Sequence, residues 1–445
     1  MSIPVIAIFD IGKTNKKVFL FDEYYQIRFE KSIQLAEIKD EDGFPCEDIH
    51  SLTRWIKDSF KELLSLSEYK INAINISAHG ASFVHLDESG NPVAPLYNYL
   101  KPYPDELKKK FYNTYGGENE FSRITASPVL GNLNSGMQLY WLKQEHPEIF
   151  KRIKYSLHLP EYISYLFSGK PASGITSIGC HTNLWDFKEN NYHQWVSQEG
   201  ILEKLAPIHP SNEVVQANLK GHEILSGIGL HDSSAALIPY LKYFTGPFVL
   251  LSTGTWSISL NPFNHSPLTS EELEKDCLCY LTYQGKPVKA SRQFAGHEHD
   301  QGVNLLSQYF NKSKKYYQTI CYDDAAIQKL KLNQTDLHNE ALTSLGSFEE
   351  AYHLLVMTLV EKQKAKTGLV IQDASVKNIF VDGGFSQNKI YMNLLAQAFP
   401  KTKVNAASLP QASSLGAALV IHEKWNPLPL PQHLIQTIQY PLPSV

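Results

Sequence analysis

The run Val5-Ile6-Ala7-Ile8-Phe9 is apolar without interruption, the pattern of a strand buried on both faces. Asp10 closes it, and Ile11-Gly12-Lys13-Thr14-Asn15-Lys16-Lys17 leads into a second apolar run at 18–21. Two such runs around a polar, glycine-bearing turn predict a β-hairpin. The pattern returns at Phe248-Val249-Leu250-Leu251, passes through Ser252-Thr253-Gly254-Thr255, and resumes at Trp256-Ser257-Ile258-Ser259-Leu260. A later strand, Ile74-Asn75-Ile76, stops at Ser77-Ala78-His79-Gly80; its counterpart, Asn378-Ile379-Phe380-Val381, stops at Asp382-Gly383-Gly384-Phe385. Two coincidences in the same order point to a duplicated unit rather than a short-period repeat. Helical spacing at 54–66, 134–146, 354–365 and 389–399 interleaves with these strands, so the class is α/β. The Gly-Pro pair at 246–247 suits a join, which gives an N-terminal domain over 1–241 and a C-terminal domain over 247–445.

Composition narrows the partners. At about 150 residues per domain, 445 residues suggest two or three domains. Basic and acidic residues number 41 and 45, for a net charge of -4, which argues against a nucleic-acid partner. No apolar stretch approaches the roughly 20 residues of a membrane helix, so no membrane partner is expected. The start lacks a basic region and reads as a first strand, not a signal peptide. The cysteines Cys46, Cys180, Cys277, Cys279 and Cys321 form no CxxC pair, and reduced thiols in a cytoplasmic enzyme are the simplest reading. Cys277 and Cys279 fit alternate positions of a strand.

Several turns carry candidate chemistry. Gly12-Lys13-Thr14 is not a P-loop, because that motif needs glycine at position 7, where Ala7 stands, and a helix where 18–21 reads as strand. A tight hairpin turn still gathers N–H groups into an anion nest. Thr14 and Asn15 would add donors, Lys16 or Lys17 a cation, and Asp10 a carboxylate to orient a water on Mg²⁺. The plainer alternative is a solvated hairpin. Gly254 and Thr255 offer a second nest, and the two together would clamp a triphosphate. Gly383 and Gly384 would let a flat adenine or ribose approach, with the helix start near Asn388 supplying donors; the alternative is an ordinary loop with Ser386 as cap. His231-Asp232-Ser233 puts an aspartate at a helix start, able to take a proton from a substrate hydroxyl or simply to cap the helix. His297-Glu298-His299-Asp300 reads as a polar loop, since adjacent residues converge poorly on one ion.

In this order the motifs resemble those of the FGGY carbohydrate kinases, over nearly the whole chain. Asp10-Ile11-Gly12-Lys13-Thr14-Asn15 is similar to that family's first phosphate motif and Ser252-Thr253-Gly254-Thr255-Trp256-Ser257 to its second. Asp382-Gly383-Gly384-Phe385-Ser386-Gln387-Asn388 resembles its adenosine motif, followed by the small-residue helix Ser414-Leu415-Gly416-Ala417-Ala418. Within the family the rhamnulokinase branch is most similar, through Ser77-Ala78-His79-Gly80-Ala81-Ser82-Phe83. The resemblance implies two duplicated actin/hexokinase-like (ribonuclease H-like) domains with a central cleft, ATP and Mg²⁺ as cofactors, and a ketose or polyol as phosphoryl acceptor. It implies Asp232 as catalytic base, with His79, Gly80, His231 and Ser233 at the sugar. At the nucleotide it implies Asp10, Thr14 to Lys17, Gly254, Thr255, Gly383, Gly384 and Asn388. His79, Ser82 and Phe385 depart from the family pattern and leave the sugar unnamed. An actin- or chaperone-like ATPase and a sugar-responsive binding protein are the competing expectations. An exposed helix face leaves room for a homodimer, which no residue pattern specifies.

Overall fold

The computed structural model describes residues 2–219, 221–332, 345–371, 376–409 and 411–440. Its first half is built on a sheet of β1 (Ile3–Ile11), β2 (Lys16–Asp22), β3 (Ile27–Ile33), β4 (Tyr69–Ala78), β5 (Val214–Leu219), β6 (His222–Gly227) and β7 (Leu230–His231). The order is β5-β6-β4-β1-β2-β3, with β7 also paired to β4. The second half has β8 (Phe248–Thr253), β9 (Ser257–Asn261), β10 (Cys277–Leu281), β11 (Pro287–Gln293), β12 (Asn378–Gly383), β13 (Lys403–Ser408) and β14 (Gln436–Gln439). Their order is β10-β11-β9-β8-β12-β13-β14.

The duplication read from the hairpins is a duplication of topology. β1 is antiparallel to β2 and parallel to β4, β2 is antiparallel to β3, β4 is parallel to β6, and β6 is antiparallel to β5. β8 repeats each relation with β9 and β12, β9 with β11, β12 with β13, and β13 with β14. The second half adds β10 beyond β11, where Cys277 and Cys279 sit two apart along the strand as expected.

The helices that frame the sheets are α1 (Ile49–Ser65), α2 (Ser135–Glu145), α3 (Leu159–Ser168), α4 (Asp232–Tyr243), α5 (Ala295–Tyr309), α6 (Phe348–Ile371), α7 (Lys389–Ala398) and α8 (Ala412–Val420). Alternate residues of each lead strand enter different layers, the consequence of a two-residue side-chain period. Val5, Ala7 and Phe9 pack under α1 and α3, while Ile6 and Ile8 face α4 and α8. Val249 and Leu251 pack under α5, α6 and α7, while Phe248 and Leu250 face the same α4 and α8. One apolar layer, holding both central helices, therefore joins the two sheets. Gly416 of α8 makes this possible: a Cβ there would run into the Ala235 carbonyl of α4.

Three helices differ from their sequence outlines. The helix expected over 54–66 starts at Ile49, because Asp48 caps it, accepting from His50 N (2.9 Å) and Ser51 N (3.1 Å). The helix expected over 354–365 runs Phe348–Ile371. The supposed polar loop at 297–300 is the first turns of α5, whose buried positions Ala295, His299, Gly302, Val303 and Leu306 keep helical spacing. No helix among the described residues is long and apolar enough to cross a membrane.

Candidate active site

Asp232 opens α4 directly after β7, which places its carboxylate at the C-terminal end of β4. Ser233 N donates to Asp232 Oδ1 (2.6 Å), and the side chain keeps about a third of its surface exposed (36%). His231 is buried beside it, with Nε2 3.4 Å from Asp232 Oδ1 and 3.2 Å from Cys180 Sγ. Burial pulls the His231 imidazole below its usual value, with the Asp232 charge opposing. Gly80 lies against this ring; a Cβ would stand 2.7 Å from His231 Cδ2. Thr176 Oγ1 accepts from His231 N (3.2 Å), so the short Ile175–Ile178 helix also fixes the element.

That short helix is anchored by Glu161 of α3, whose Oε1 accepts from Ser177 Oγ (2.7 Å). Burial pushes the Glu161 carboxyl up to about 8 from the ordinary 4.5. Between those values the folded chain keeps a proton that the unfolded chain has released, so stability falls as pH rises through that window. The slope from this group is about 1.4 kcal/mol per pH unit. Glu161→Gln is expected to remove that slope, and denaturant midpoints compared at pH 5 and pH 8 check it.

Asp10, near the end of β1, sits at the N-terminus of α8, which packs through Gly416 on Ala235 near the start of α4. Ser413 Oγ and Ser414 Oγ donate to Asp10 Oδ2 (2.7 and 2.5 Å). Burial raises the Asp10 carboxyl above its usual range, the two serines oppose this, and the Asp232 charge adds to it. The Asp10 carboxylate is a hard oxygen donor of the kind that fits Mg²⁺, which takes one or two carboxylates and keeps water among its other ligands.

The first hairpin turn closes through Gly12 N to Asn15 O (3.0 Å). Thr14 and Asn15 are exposed at its tip, and Asn15 Oδ1 accepts from Gln34 Nε2 (2.9 Å). Of the two lysines expected to supply a cation at the turn, Lys16 is turned inward. It is buried, donating to Gly12 O (3.0 Å) and Lys13 O (2.8 Å) and pairing with Glu47 Oε2 (2.7 Å). Lys17 stays partly exposed near Asp10, its Nζ 3.4 Å from Gln411 Oε1.

Glu47 was invisible in the sequence. It also meets His79 Nε2 (3.0 Å) and Lys13 Nζ (3.4 Å). Burial pushes its carboxyl up, but His79 and Lys16 overcome this and hold it at about 2. Tyr99 packs edge-on to His79 at 6.0 Å and lies under the Lys13 ammonium at 5.9 Å. Glu47 thus ties the first hairpin turn to the His79-Gly80 strip.

The second hairpin closes through Gly254 N to Trp256 O (2.9 Å). Thr253 Oγ1 donates to Asp382 O (2.5 Å) and accepts from Phe385 N (3.1 Å), which ties this hairpin to the double-glycine loop. The two glycines differ. Gly383 has φ +87° and backs onto the Thr253 carbonyl, whereas a Cβ on Gly384 would meet nothing within 4 Å. Gly384 opens onto a cavity of about 670 Å³ that Gly254, Thr255, His299, Phe385 and Asn388 also line. Gly383 is absent from that lining. Asn388, not Ser386, caps α7: its Oδ1 accepts from Ile390 N and Tyr391 N (both 3.1 Å), while Ser386 Oγ donates to Gly383 O (2.7 Å).

Two sheets of repeated topology, each ending in a glycine-bearing hairpin beside a shared helical layer, define a duplicated α/β protein with a cavity built on its second half. The chain belongs to the FGGY family of carbohydrate kinases: the model for that family's N-terminal domain matches residues 5–238, and the FGGY carbohydrate kinase C-terminal domain model matches 245–330. It is 27% identical to a rhamnulokinase of Halalkalibacterium halodurans over 259 residues, 56% of this chain and 52% of that protein. A rhamnulokinase of Bacteroides thetaiotaomicron is 28% identical over 250 residues, 51% of this chain and 48% of its own length. The chain thus spans about half the length of these two curated relatives. A third, from Oceanobacillus iheyensis, is 22% identical over 86% of this chain and 84% of its own. Among solved structures, a carbohydrate kinase of Novosphingobium aromaticivorans aligns with a TM-score of 0.81 at 23% identity, covering 98% and 97% of the two chains. A xylulose kinase of Rhodospirillum rubrum aligns at 0.80 with 14% identity, covering 98% and 94%. These last two likenesses bear on the fold.

Proposed function

We propose that this chain is an ATP-dependent, rhamnulokinase-like sugar kinase that phosphorylates a hydroxyl of a ketose or polyol, with Asp232 as general base. The observation that carries the reading is that Asp10 is held by the first turn of α8, which packs through Gly416 on Ala235 in the first turns of the helix that Asp232 opens, while the second hairpin borders the Gly384 cavity. Residues 1–241 hold the sugar against His79, Gly80, His231 and Ser233. Residues 247–445 hold the nucleotide, with the adenosine against Gly384 and Asn388 and the phosphates between Thr14, Lys17 and Gly254-Thr255. Helix N-termini favour bound anions, which supports phosphates at this place.

In the reaction Asp232 takes the proton of the sugar hydroxyl as its oxygen bonds to the γ-phosphorus and the bond to the β-phosphate oxygen breaks, leaving ADP. Asp232 is exposed enough to meet that hydroxyl and is held by Ser233 N in one orientation. Asp10 would hold Mg²⁺, which when bound would supply charge neutralisation for the phosphates. Hairpin N–H groups stabilise the charge that develops on the transferring group.

ADP formation measured with Mg-ATP across a panel of ketoses and polyols tests the reading. Acceptor-dependent ADP is expected, and loss of activity on metal chelation with recovery on added Mg²⁺. ATP turnover that no sugar increases would favour the ATPase alternative.

A further inference from the structure

Of the segment His297-Glu298-His299-Asp300, the residues His299 and Asp300 line the Gly384 cavity, and the mechanism above uses neither. The helix that carries them, α5, starts against the second hairpin. His297 N donates to Thr255 O (3.3 Å), and a Cβ on Gly296 would stand 2.0 Å from Gly254 O. Gly296, His299 and Asp300 share one face of α5, at spacings of three and four, and all three line the cavity together with Gly254 and Thr255. Asp300 therefore lies one turn, about 6 Å along the axis, beyond the residue that touches the second hairpin. That is the step from the inner phosphates of a nucleotide to its ribose hydroxyls.

Hydrogen bonding behind the cavity wall fixes the proton of His299. Asn388 Oδ1 accepts from Ile390 N and Tyr391 N, so the amide turns Nδ2 to the Tyr352 hydroxyl (2.8 Å). That hydroxyl, on α6, has one proton of its own to give, and it lies 3.0 Å from His299 Nε2. Burial pulls the His299 imidazole below its usual value, with Asp300 opposing, so the ring is neutral near pH 7. A neutral ring that accepts at Nε2 carries its proton on Nδ1. His299 Nδ1 is 3.6 Å from Asp300 Oδ1, just beyond hydrogen-bond reach. Tyr317 and Phe385 hold the ring edge-on, with centroids at 5.0 and 5.4 Å. Asp300 itself stands exposed, with its N–H neighbour on one side and no hydrogen bond to any described residue. An ionised carboxylate offers acceptors only, so the group that completes this one must bring a proton, as a hydroxyl does.

We propose that Asp300 selects the phosphoryl donor by its pentose: the carboxylate accepts from a ribose hydroxyl, so a ribonucleoside triphosphate binds well and the deoxyribonucleoside triphosphate that lacks that hydroxyl binds poorly. This rests on the kinase reading. His299 is a positioning residue, whose Nδ1–H faces Asp300 and keeps the carboxylate turned along the cavity wall.

The test compares the wild-type chain with Asp300→Ala and His299→Phe, using the magnesium complexes of ATP, 2′-deoxy-ATP and 3′-deoxy-ATP. Calorimetric titration without sugar gives the affinities, and steady-state kinetics with sugar gives the transfer. The wild type is expected to bind ATP at least about tenfold more tightly than the deoxy nucleotide that lacks the bonded hydroxyl. In Asp300→Ala the affinity for ATP is expected to fall to that of this deoxy nucleotide. The deoxy nucleotide's own affinity and KM for the sugar should change less than about twofold, because binding lost at one group does not reach the others. His299→Phe keeps a ring against Tyr317 and Phe385 but cannot donate, and it is expected to lose part of the preference with the affinity for the deoxy nucleotide unchanged. Equal wild-type affinity for all three nucleotides, or an equal loss on all three in Asp300→Ala, overturns the assignment of Asp300. An equal loss on all three in His299→Phe overturns the positioning role of His299. A wild type that prefers the ribonucleotide yet transfers phosphate to no sugar overturns the kinase reading alone.

Discussion

Replacing Asp232 with asparagine is expected to leave the chain folded and able to bind nucleotide while cutting phosphoryl transfer at least about 10²-fold, the lower end of what a positioned general base contributes. The substitution is close to isosteric. Ser233 N can still donate to the side-chain oxygen of Asn, so the start of α4 keeps its local hydrogen bond. His231 keeps Cys180 and Thr176, and Gly80 keeps its packing on the ring. What disappears is the basic carboxylate, and the loss should fall on kcat with KM for ATP nearly unchanged. Steady-state kinetics with thermal denaturation of both proteins check this. A variant that phosphorylates sugar at the wild-type rate removes Asp232 from the base role.

Replacing Gly384 with leucine is expected to weaken ATP binding at least about tenfold without loss of stability, because a side chain there fills space that a ligand needs. The neighbouring glycine supplies the contrast. Gly383→Ala would place a Cβ on the Thr253 carbonyl at φ +87°, where L side chains are strained, so it should lower the melting temperature. Calorimetric titration with ATP separates the two effects: Gly384→Leu should change affinity and not melting, whereas Gly383→Ala should change melting first. Unchanged ATP affinity in Gly384→Leu would move the adenosine away from this loop.

The lead hairpins were legible because β1 and β8 are buried on both faces, and such strands show as continuous apolar runs. The Asp232 element and the double-glycine loop were legible because strand ends followed by helix starts concentrate glycine and capping residues. Contacts between distant segments were not. Glu47 sits on a three-residue strand, and its bonds to Lys16 and His79 bridge 31 and 32 positions of sequence. Lys16 and Lys17 read alike as cations of the turn until that buried partner takes Lys16. Tyr99 gains meaning only when Lys13 and His79 are folded against it. The start of α5 was hidden because its inward positions include His299, which bonds Tyr352 through Nε2 (3.0 Å), and the recognisable apolar residues Val303 and Leu306 come later. The cap of α7 was misplaced by two residues because Ser386 and Asn388 are both good caps, and only the turn at Gly384–Gln387 decides between them.

The most direct measurement follows the phosphoryl group itself. The acceptor is recovered after incubation with Mg-ATP and analysed by mass spectrometry, for the wild-type chain and for Asp232→Asn. The proposed mechanism predicts a sugar carrying one added phosphoryl group, formed in step with ADP by the wild type and nearly absent with the variant. Free phosphate accumulating with unmodified sugar would show the group going to water, and would contradict it.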